Sequence, residues 1–134
     1  MIKAINHIGI AVSDLDKSVE LFKKLFQTED VHKEIVEDQK VAVASFNIGG
    51  VLFELTQPTS PESPIAKHIE KKGEGIHHIA FEVSDIHEEM KRLQNEGFTL
   101  LSEQPKKGAD NKLICFLHPK SSNGVLIELC QEIK

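Results

Sequence analysis

The segment NHIGIAVSDL at residues 6–15 decides the fold, because the chain repeats its pattern as HHIAFEVSDI at residues 77–86. A second stretch, GVLFELTQ at residues 50–57, returns as GVLIELCQ at residues 124–131. The first repeat has a spacing of 78 − 7 = 71 residues and the second of 128 − 54 = 74, which a slightly longer loop in the second half explains. A unit of about sixty residues, used twice, is therefore predicted.

Each copy of the repeat begins as a strand and continues as a helix. Residues 5–12 alternate between two faces, as a strand does, and Ser13 and Asp14 then signal the start of a helix. In the second copy, Ser84 and Asp85 give the same signal. Three further strands are predicted after each helix, at residues 31–36, 40–48 and 51–57 in the first half and 98–104, 112–118 and 124–131 in the second. The predicted fold class is therefore α+β, with two βαβββ modules.

The whole chain is predicted to form a single domain, since 134 residues can bury one core but are few for two independent ones. Module 1 covers residues 4–57 and module 2 covers residues 75–132. The linker at residues 58–74 contains a Ser-Pro pair at 63–64, which predicts a short helix over residues 65–72.

Composition excludes several classes of protein. The chain has 21 acidic and 16 basic residues and no Trp or Tyr, so it lacks the basic surface and stacking aromatics of nucleic-acid binders. It has no apolar run long enough to span a membrane and no signal-peptide pattern. Cys115 and Cys130 lie in apolar stretches and are expected to be buried thiols. We therefore expect a cytoplasmic protein with no nucleic-acid or membrane partner.

Four polar side chains fall in the middle of apolar strands. His7 and His78 project from the face opposite the aliphatic residues of their strands, and Glu54 and Glu128 do the same in theirs. A lone strand histidine or glutamate is usually satisfied or exposed, but a buried carboxylate is costly unless it is paired or bound to a metal. Two matched pairs favour a site for a divalent ion such as Co, Mn, Ni, Fe or Zn. Open coordination positions would make that site catalytic.

Three stretches of the chain are similar to the methylmalonyl-CoA epimerase family of the vicinal oxygen chelate (glyoxalase-like) superfamily: residues 6–12, 63–81 and 116–129. The resemblance extends over essentially the whole chain. It implies two βαβββ modules side by side, forming one curved mixed sheet around a metal site, and a homodimer. It also implies a divalent metal, most often cobalt, bound by His7, Glu54, His78 and Glu128.

The resemblance further implies a reaction on an acyl-CoA, the interconversion of (2R)- and (2S)-methylmalonyl-CoA. The C2 proton is removed through a metal-stabilised enolate, and Glu128 and Glu54 are the expected catalytic bases. One position departs from the family. Some members have Gln where this chain has Glu54 and carry a separate Glu on the preceding strand, where this chain has Val43. The identity of the second base is therefore open.

Three other functions are compatible with a related fold. Lactoylglutathione lyase should need an arginine-bearing glutathione patch, whereas Arg92 is the only arginine of this chain. An extradiol dioxygenase needs only two histidines and one carboxylate. A non-enzymatic small-ligand-binding member of the superfamily needs no metal. Lys112 and Lys120 are candidate contacts for CoA phosphates, although the simpler expectation is that both are surface lysines.

Overall fold

The computed structural model describes residues 1–133. Within them lie three α-helices, α1 Leu15–Phe26, α2 Pro64–Lys72 and α3 Ile86–Asn95. The same residues form eight strands, β1 Ile2–Ala11, β2 His32–Val36, β3 Val41–Ile48, β4 Val51–Pro58, β5 Gly75–Val83, β6 Lys106–Lys107, β7 Lys112–Leu117 and β8 Ile127–Glu132. The order is βαβββ twice with α2 between the two copies, which confirms the predicted α+β fold. Each described helix is too short or too polar to cross a lipid bilayer.

The chain divides into two compact units. Of the described residues, the terminal unit contains 1–7 and 78–133, and the central unit contains Ile8–His77. Strands β1 and β5 contribute residues to both units. His7, His78 and Glu128 therefore belong to the terminal unit, and Glu54 belongs to the central unit.

In the central unit the strand order is β2-β3-β4-β1, and β2, β3 and β4 pair antiparallel. The apolar face of α1 packs on one side of this sheet, where Val19, Phe46 and Leu55 are buried together. Because successive residues of a strand point to opposite faces, Glu54 lies on the side away from α1. Ser45 is its register partner on β3.

In the terminal unit the strand order is β1-β5-β8-β7-β6. Strands β5 and β8 are parallel, whereas β8, β7 and β6 are antiparallel, so the sheet is mixed as predicted. Helix α3 covers one face, where Leu117 and Leu129 are buried. Glu128 pairs with Ala80 on one side and Phe116 on the other, and it points away from α3.

Contacts with α3 hold the start of β1 in the terminal unit. The carboxylate of the buried Glu89 accepts hydrogen bonds from the Met1 ammonium and from Arg92. These two cations hold the pKa of Glu89 below its usual value. The Met1 carbonyl accepts a hydrogen bond from the Ser84 N–H at 3.0 Å. Because His7 lies on the same strand, these contacts help to position it beside β5.

The predicted helix starts are confirmed. Asp14 accepts a hydrogen bond from the backbone of Lys17, and Asp85 accepts one from the backbone of Glu88. The repeat also contains a contact that its pattern did not reveal. The side-chain oxygen of Gln57 accepts the first N–H of α1, and that of Gln131 accepts the first N–H of α3. The last strand of each module thus caps the helix of the same module.

The prediction of a strand at residues 98–104 was wrong. A single bridge, between Leu100 and Leu117, is formed there, and the short strand β6 follows instead. The Ser102 hydroxyl turns back to donate to the carbonyl of Gln104, and Pro105 has no N–H to donate to a ladder. Gly124 still belongs to a turn, and β8 begins at Ile127, later than predicted. Cys115 and Cys130 are buried, as expected.

Candidate metal centre

Three of the four predicted ligands meet in the terminal unit. His7 comes from β1, His78 from β5 and Glu128 from β8. The three side chains are buried, and one potential ligand atom of each lies within 4.8 Å of the other two. The two imidazole Nε2 atoms are 3.1 Å apart. Glu128 Oε1 lies 3.5 Å from Nε2 of His7 and 3.2 Å from Nε2 of His78. All three residues are between 5% and 7% exposed.

These distances fit a bound metal ion. Ligand atoms about 2.1 Å from a divalent metal are separated by about 3.0 Å at right angles and about 3.4 Å at the tetrahedral angle. Two of the three separations, 3.1 and 3.2 Å, lie within that range, and the third, 3.5 Å, lies just above it. Two imidazole nitrogens and one carboxylate oxygen form a donor set that suits first-row transition metals. The site therefore fits a divalent cation, as the strand pattern predicted.

The contacts around His7 set which nitrogen faces the cluster. Its Nδ1 lies 2.7 Å from the side-chain oxygen of Asn6, which can only accept a hydrogen bond. Nδ1 of a neutral His7 therefore carries the proton, and Nε2 presents its lone pair toward His78 and Glu128. A hydrogen-bond acceptor at the ring nitrogen that does not bind the metal fixes the tautomer of a metal-binding histidine. On the other side, the Phe116 ring packs edge-on against His78, with centroids 5.8 Å apart.

Replacing Asn6 by Ala should weaken metal binding without abolishing it. The variant leaves His7 in place but removes the acceptor that selects its tautomer. Loss of such a partner typically weakens affinity by about 10–100-fold, and we expect an effect in that range for Co²⁺, measured by isothermal titration calorimetry. Asn6→Asp, which keeps an acceptor oxygen, should bind near the wild-type level. Unchanged Co²⁺ affinity in Asn6→Ala would show that this hydrogen bond does not orient His7.

The fourth predicted ligand, Glu54, lies on β4 in the central unit and is 6% exposed. Its buried neighbours on the same face include Ser45 and Thr56. Glu54 is thus buried, on the face opposite Leu55 as the alternation predicted, and its role as a ligand stays a prediction. Val43, which stands where some family members have Glu, is a buried core residue that packs with Ile65 of α2.

His77 precedes His78 and points to the other face of β5. Its ring contacts the ring of His68 edge-on, with centroids 4.8 Å apart. Burial, followed by the charge of His68, lowers the pKa of His77 to about 4. His77 is therefore neutral at physiological pH, and it brings no positive charge next to the cluster.

Comparison with known proteins agrees with this fold. A family model described as the Glyoxalase/Bleomycin resistance protein/Dioxygenase superfamily matches residues 6–116. The ethylmalonyl-CoA/methylmalonyl-CoA epimerase of Cereibacter sphaeroides is 39% identical over 98% of this chain and 99% of its own length. The human mitochondrial methylmalonyl-CoA epimerase is 38% identical over 95% of this chain and 73% of its own length.

A solved structure shows the same architecture. A variant of Streptomyces coelicolor methylmalonyl-CoA epimerase, in complex with 2-nitronate-propionyl-CoA, has a TM-score of 0.92 and is 36% identical. The match covers 98% of this chain and 96% of that one. With the matched family model extending over most of the residues, the chain belongs to the glyoxalase/bleomycin resistance protein/dioxygenase superfamily.

Proposed function

We propose that this chain is an isomerase, a metal-dependent epimerase that interconverts the (2R) and (2S) forms of methylmalonyl-CoA. The observation that carries the proposal is the buried cluster of His7, His78 and Glu128. The cluster lies in a chain that matches named epimerases along nearly its whole length. These relatives favour epimerisation over the lactoylglutathione lyase reaction and over binding without catalysis.

Epimerisation requires removal of the C2 proton, which lies between a thioester and a carboxylate. When bound, a divalent cation supplies positive charge that stabilises the negative charge developing on the thioester oxygen. Imidazole Nε2 atoms of His7 and His78 would hold that cation. Glu128 directs Oε1 at both imidazoles, and neither of these contacts uses its Oε2. Oε2 is thus the oxygen available to accept the proton.

Inversion at C2 also requires a group that returns a proton to the opposite face of the carbon. Glu54 is the counterpart of Glu128 in the repeat, and a carboxylate 6% exposed in an apolar strand needs a functional or structural reason to be there. We assign Glu54 as the fourth metal ligand and second base. With Val43 on β3, the strand next to Glu54 offers no alternative carboxylate at that position.

The finer features of the function follow from the same proposal. Cobalt is the metal we favour, with Zn, Mn, Ni or Fe as ions that the same nitrogen and oxygen donors accept. The protein is proposed to work as a homodimer in the cytoplasm, with an acyl-CoA as its small-molecule substrate. One relative is named for both ethylmalonyl-CoA and methylmalonyl-CoA, so both thioesters are worth offering.

Deuterium exchange tests the function directly. Cobalt-loaded protein is incubated with one epimer of methylmalonyl-CoA in D₂O, and deuterium at C2 and formation of the other epimer are followed by mass spectrometry. We expect exchange with inversion that a chelator abolishes and Co²⁺ restores. Protein that contains metal but exchanges no C2 proton would refute the proposal. Methylglyoxal–glutathione hemithioacetal would then be the next substrate to try.

A further inference from the structure

Lys112 departs from the expectation that it is a surface lysine. It stands at the first position of β7 and is 8% exposed, which makes it the one lysine within residues 1–133 that is buried. Lysine is rarely buried without a partner, because its ammonium group loses hydration. The remaining lysines of the described chain lie at least partly in solvent. A lysine side chain buried to this degree therefore requires an explanation.

The strand register places Lys112 on the same face of the sheet as the metal cluster. Every second residue of a strand points to the same face, so one face of β7 carries Lys112, Ile114 and Phe116. Phe116 pairs directly with Glu128. The Phe116 ring also contacts His78. Four residues of strand span about 13 Å, and the flexible four-carbon stem of lysine can cover part of that length. Lys112 thus lies along the strand from the ligands, on the side of the sheet away from α3.

The ammonium group of Lys112 is poorly satisfied. Its nearest carboxylate oxygen is Oδ2 of Asp110 at 3.9 Å, which is too long for a hydrogen bond. Glu132 is its direct partner across the strands, yet the two side chains form no ion pair in the described structure. No fully buried side-chain nitrogen or oxygen in residues 1–133 lacks a partner. The Lys112 Nζ atom therefore keeps some access to a ligand or to water.

A tight turn fixes the backbone that precedes Lys112. Asp110 and Asn111 both adopt left-handed conformations, with φ of 55° and 53°. The Gly108 N–H donates to the Lys112 carbonyl at 2.9 Å, and a Cβ atom at Gly108 would come within 2.8 Å of the Ile114 side chain. Asp and Asn adopt this left-handed conformation more readily than other residues with a side chain, so the turn suits the residues that form it. The turn thus defines the backbone position from which the Lys112 side chain starts.

We propose that Lys112 binds an anionic oxygen group of the thioester ligand. The proposal rests on the proposed function, because methylmalonyl-CoA offers two sources of such oxygens, the free carboxylate of the acyl group and the phosphates of CoA. The lysine ammonium is a compact positive charge with three N–H donors, so it can bind either a carboxylate or a phosphate. On binding, the anion replaces the distant Asp110 carboxylate as the nearest negative charge. Lys112 is thereby a specificity-determining residue.

The test compares Lys112→Met with wild type in binding three ligands by isothermal titration calorimetry. Methylmalonyl-CoA carries both kinds of anion, propionyl-CoA lacks the free carboxylate, and methylmalonyl-pantetheine lacks the phosphates. We expect Lys112→Met to weaken methylmalonyl-CoA by at least about 10-fold, as loss of a charge-assisted hydrogen bond does. Lys112→Arg, which keeps the charge, should recover part of that affinity. Lys91→Met is the matched control, since Lys91 is exposed on α3.

The pattern of losses identifies the source of the anion. If the acyl carboxylate is bound, the variant loses affinity for methylmalonyl-CoA and methylmalonyl-pantetheine and keeps its affinity for propionyl-CoA. If a phosphate is bound, the variant loses affinity for both CoA thioesters and keeps its affinity for methylmalonyl-pantetheine. Equal affinities in Lys112→Met and wild type overturn the proposal, even if wild type epimerises. If Lys112→Met does not fold, Lys112→Gln replaces it in the same comparison.

The same measurements separate this proposal from the epimerase function. Wild type that binds methylmalonyl-CoA through Lys112 but exchanges no C2 proton refutes the epimerase and supports the anion site. Wild type that binds none of the three thioesters refutes both. Co²⁺ affinity without thioester should be the same in Lys112→Met and wild type. A parallel loss of Co²⁺ affinity would show that Lys112 acts on the metal cluster, and it would overturn the proposal.

Discussion

Replacing Glu128 by Gln should reduce deuterium exchange at C2 of methylmalonyl-CoA by about 10³-fold, within the range that general bases contribute. Gln keeps the size of the side chain and a carbonyl oxygen that can face His7 and His78, but it cannot accept a proton at neutral pH. The effect should therefore appear in turnover far more than in Co²⁺ binding. Exchange rates are measured by mass spectrometry with metal content determined on the same samples.

The matched control for this variant is Glu132→Gln. Glu132 lies on the same strand four residues later and is exposed, so its loss should leave exchange unchanged. A Glu128→Gln protein that binds Co²⁺ and exchanges the C2 proton at the wild-type rate would exclude Glu128 as a base. Proton removal would then have to be assigned elsewhere, with Glu54 as the first candidate.

Most of the site could be predicted because the repeat carries it in its alternation. A strand has a side-chain period of two, so His78 and Glu128 can be assigned to a face by counting from their apolar neighbours. His7 occupies the corresponding position in the first copy of the repeat, and a pair of such histidines indicates a metal site more specifically than one does. What the alternation cannot show is which strands lie side by side. The parallel pairing of β5 with β8 brings residues 78 and 128 together across fifty positions of sequence.

The features that the sequence did not reveal depend on local geometry. The hydrogen bond from His7 to Asn6 joins the side chains of neighbouring residues, which a strand places on opposite faces, and alternation gives no sign of it. Lys112 is buried and directly follows a left-handed turn at Asp110 and Asn111, and amino-acid type alone predicted neither feature. The failed strand at residues 98–104 has the same origin, because a side-chain contact of Ser102 competes with the sheet ladder.

Replacing His78 by Ala should abolish measurable metal binding by the terminal unit. His78 Nε2 is the donor closest to both other members of the cluster, 3.1 Å from His7 and 3.2 Å from Glu128. Removing a metal ligand should lower the affinity for Co²⁺ by more than the roughly 10–100-fold that follows from losing a ligand's hydrogen-bond partner. Calorimetric titration with Co²⁺ gives the affinity, and thermal unfolding with and without Co²⁺ gives an independent measure that needs no substrate.

The two measurements are linked by mass action. A metal present at about 100 times its dissociation constant stabilises the folded state by about 2.7 kcal/mol, so wild type should unfold at a higher temperature with Co²⁺. His78→Ala should show no such shift at the same concentration. His87→Ala is the matched control, because His87 is an exposed histidine on α3 and should leave the shift intact. A Co²⁺-dependent shift that survives in His78→Ala would place the metal away from His7, His78 and Glu128. The epimerase proposal would then lose the observation that carries it.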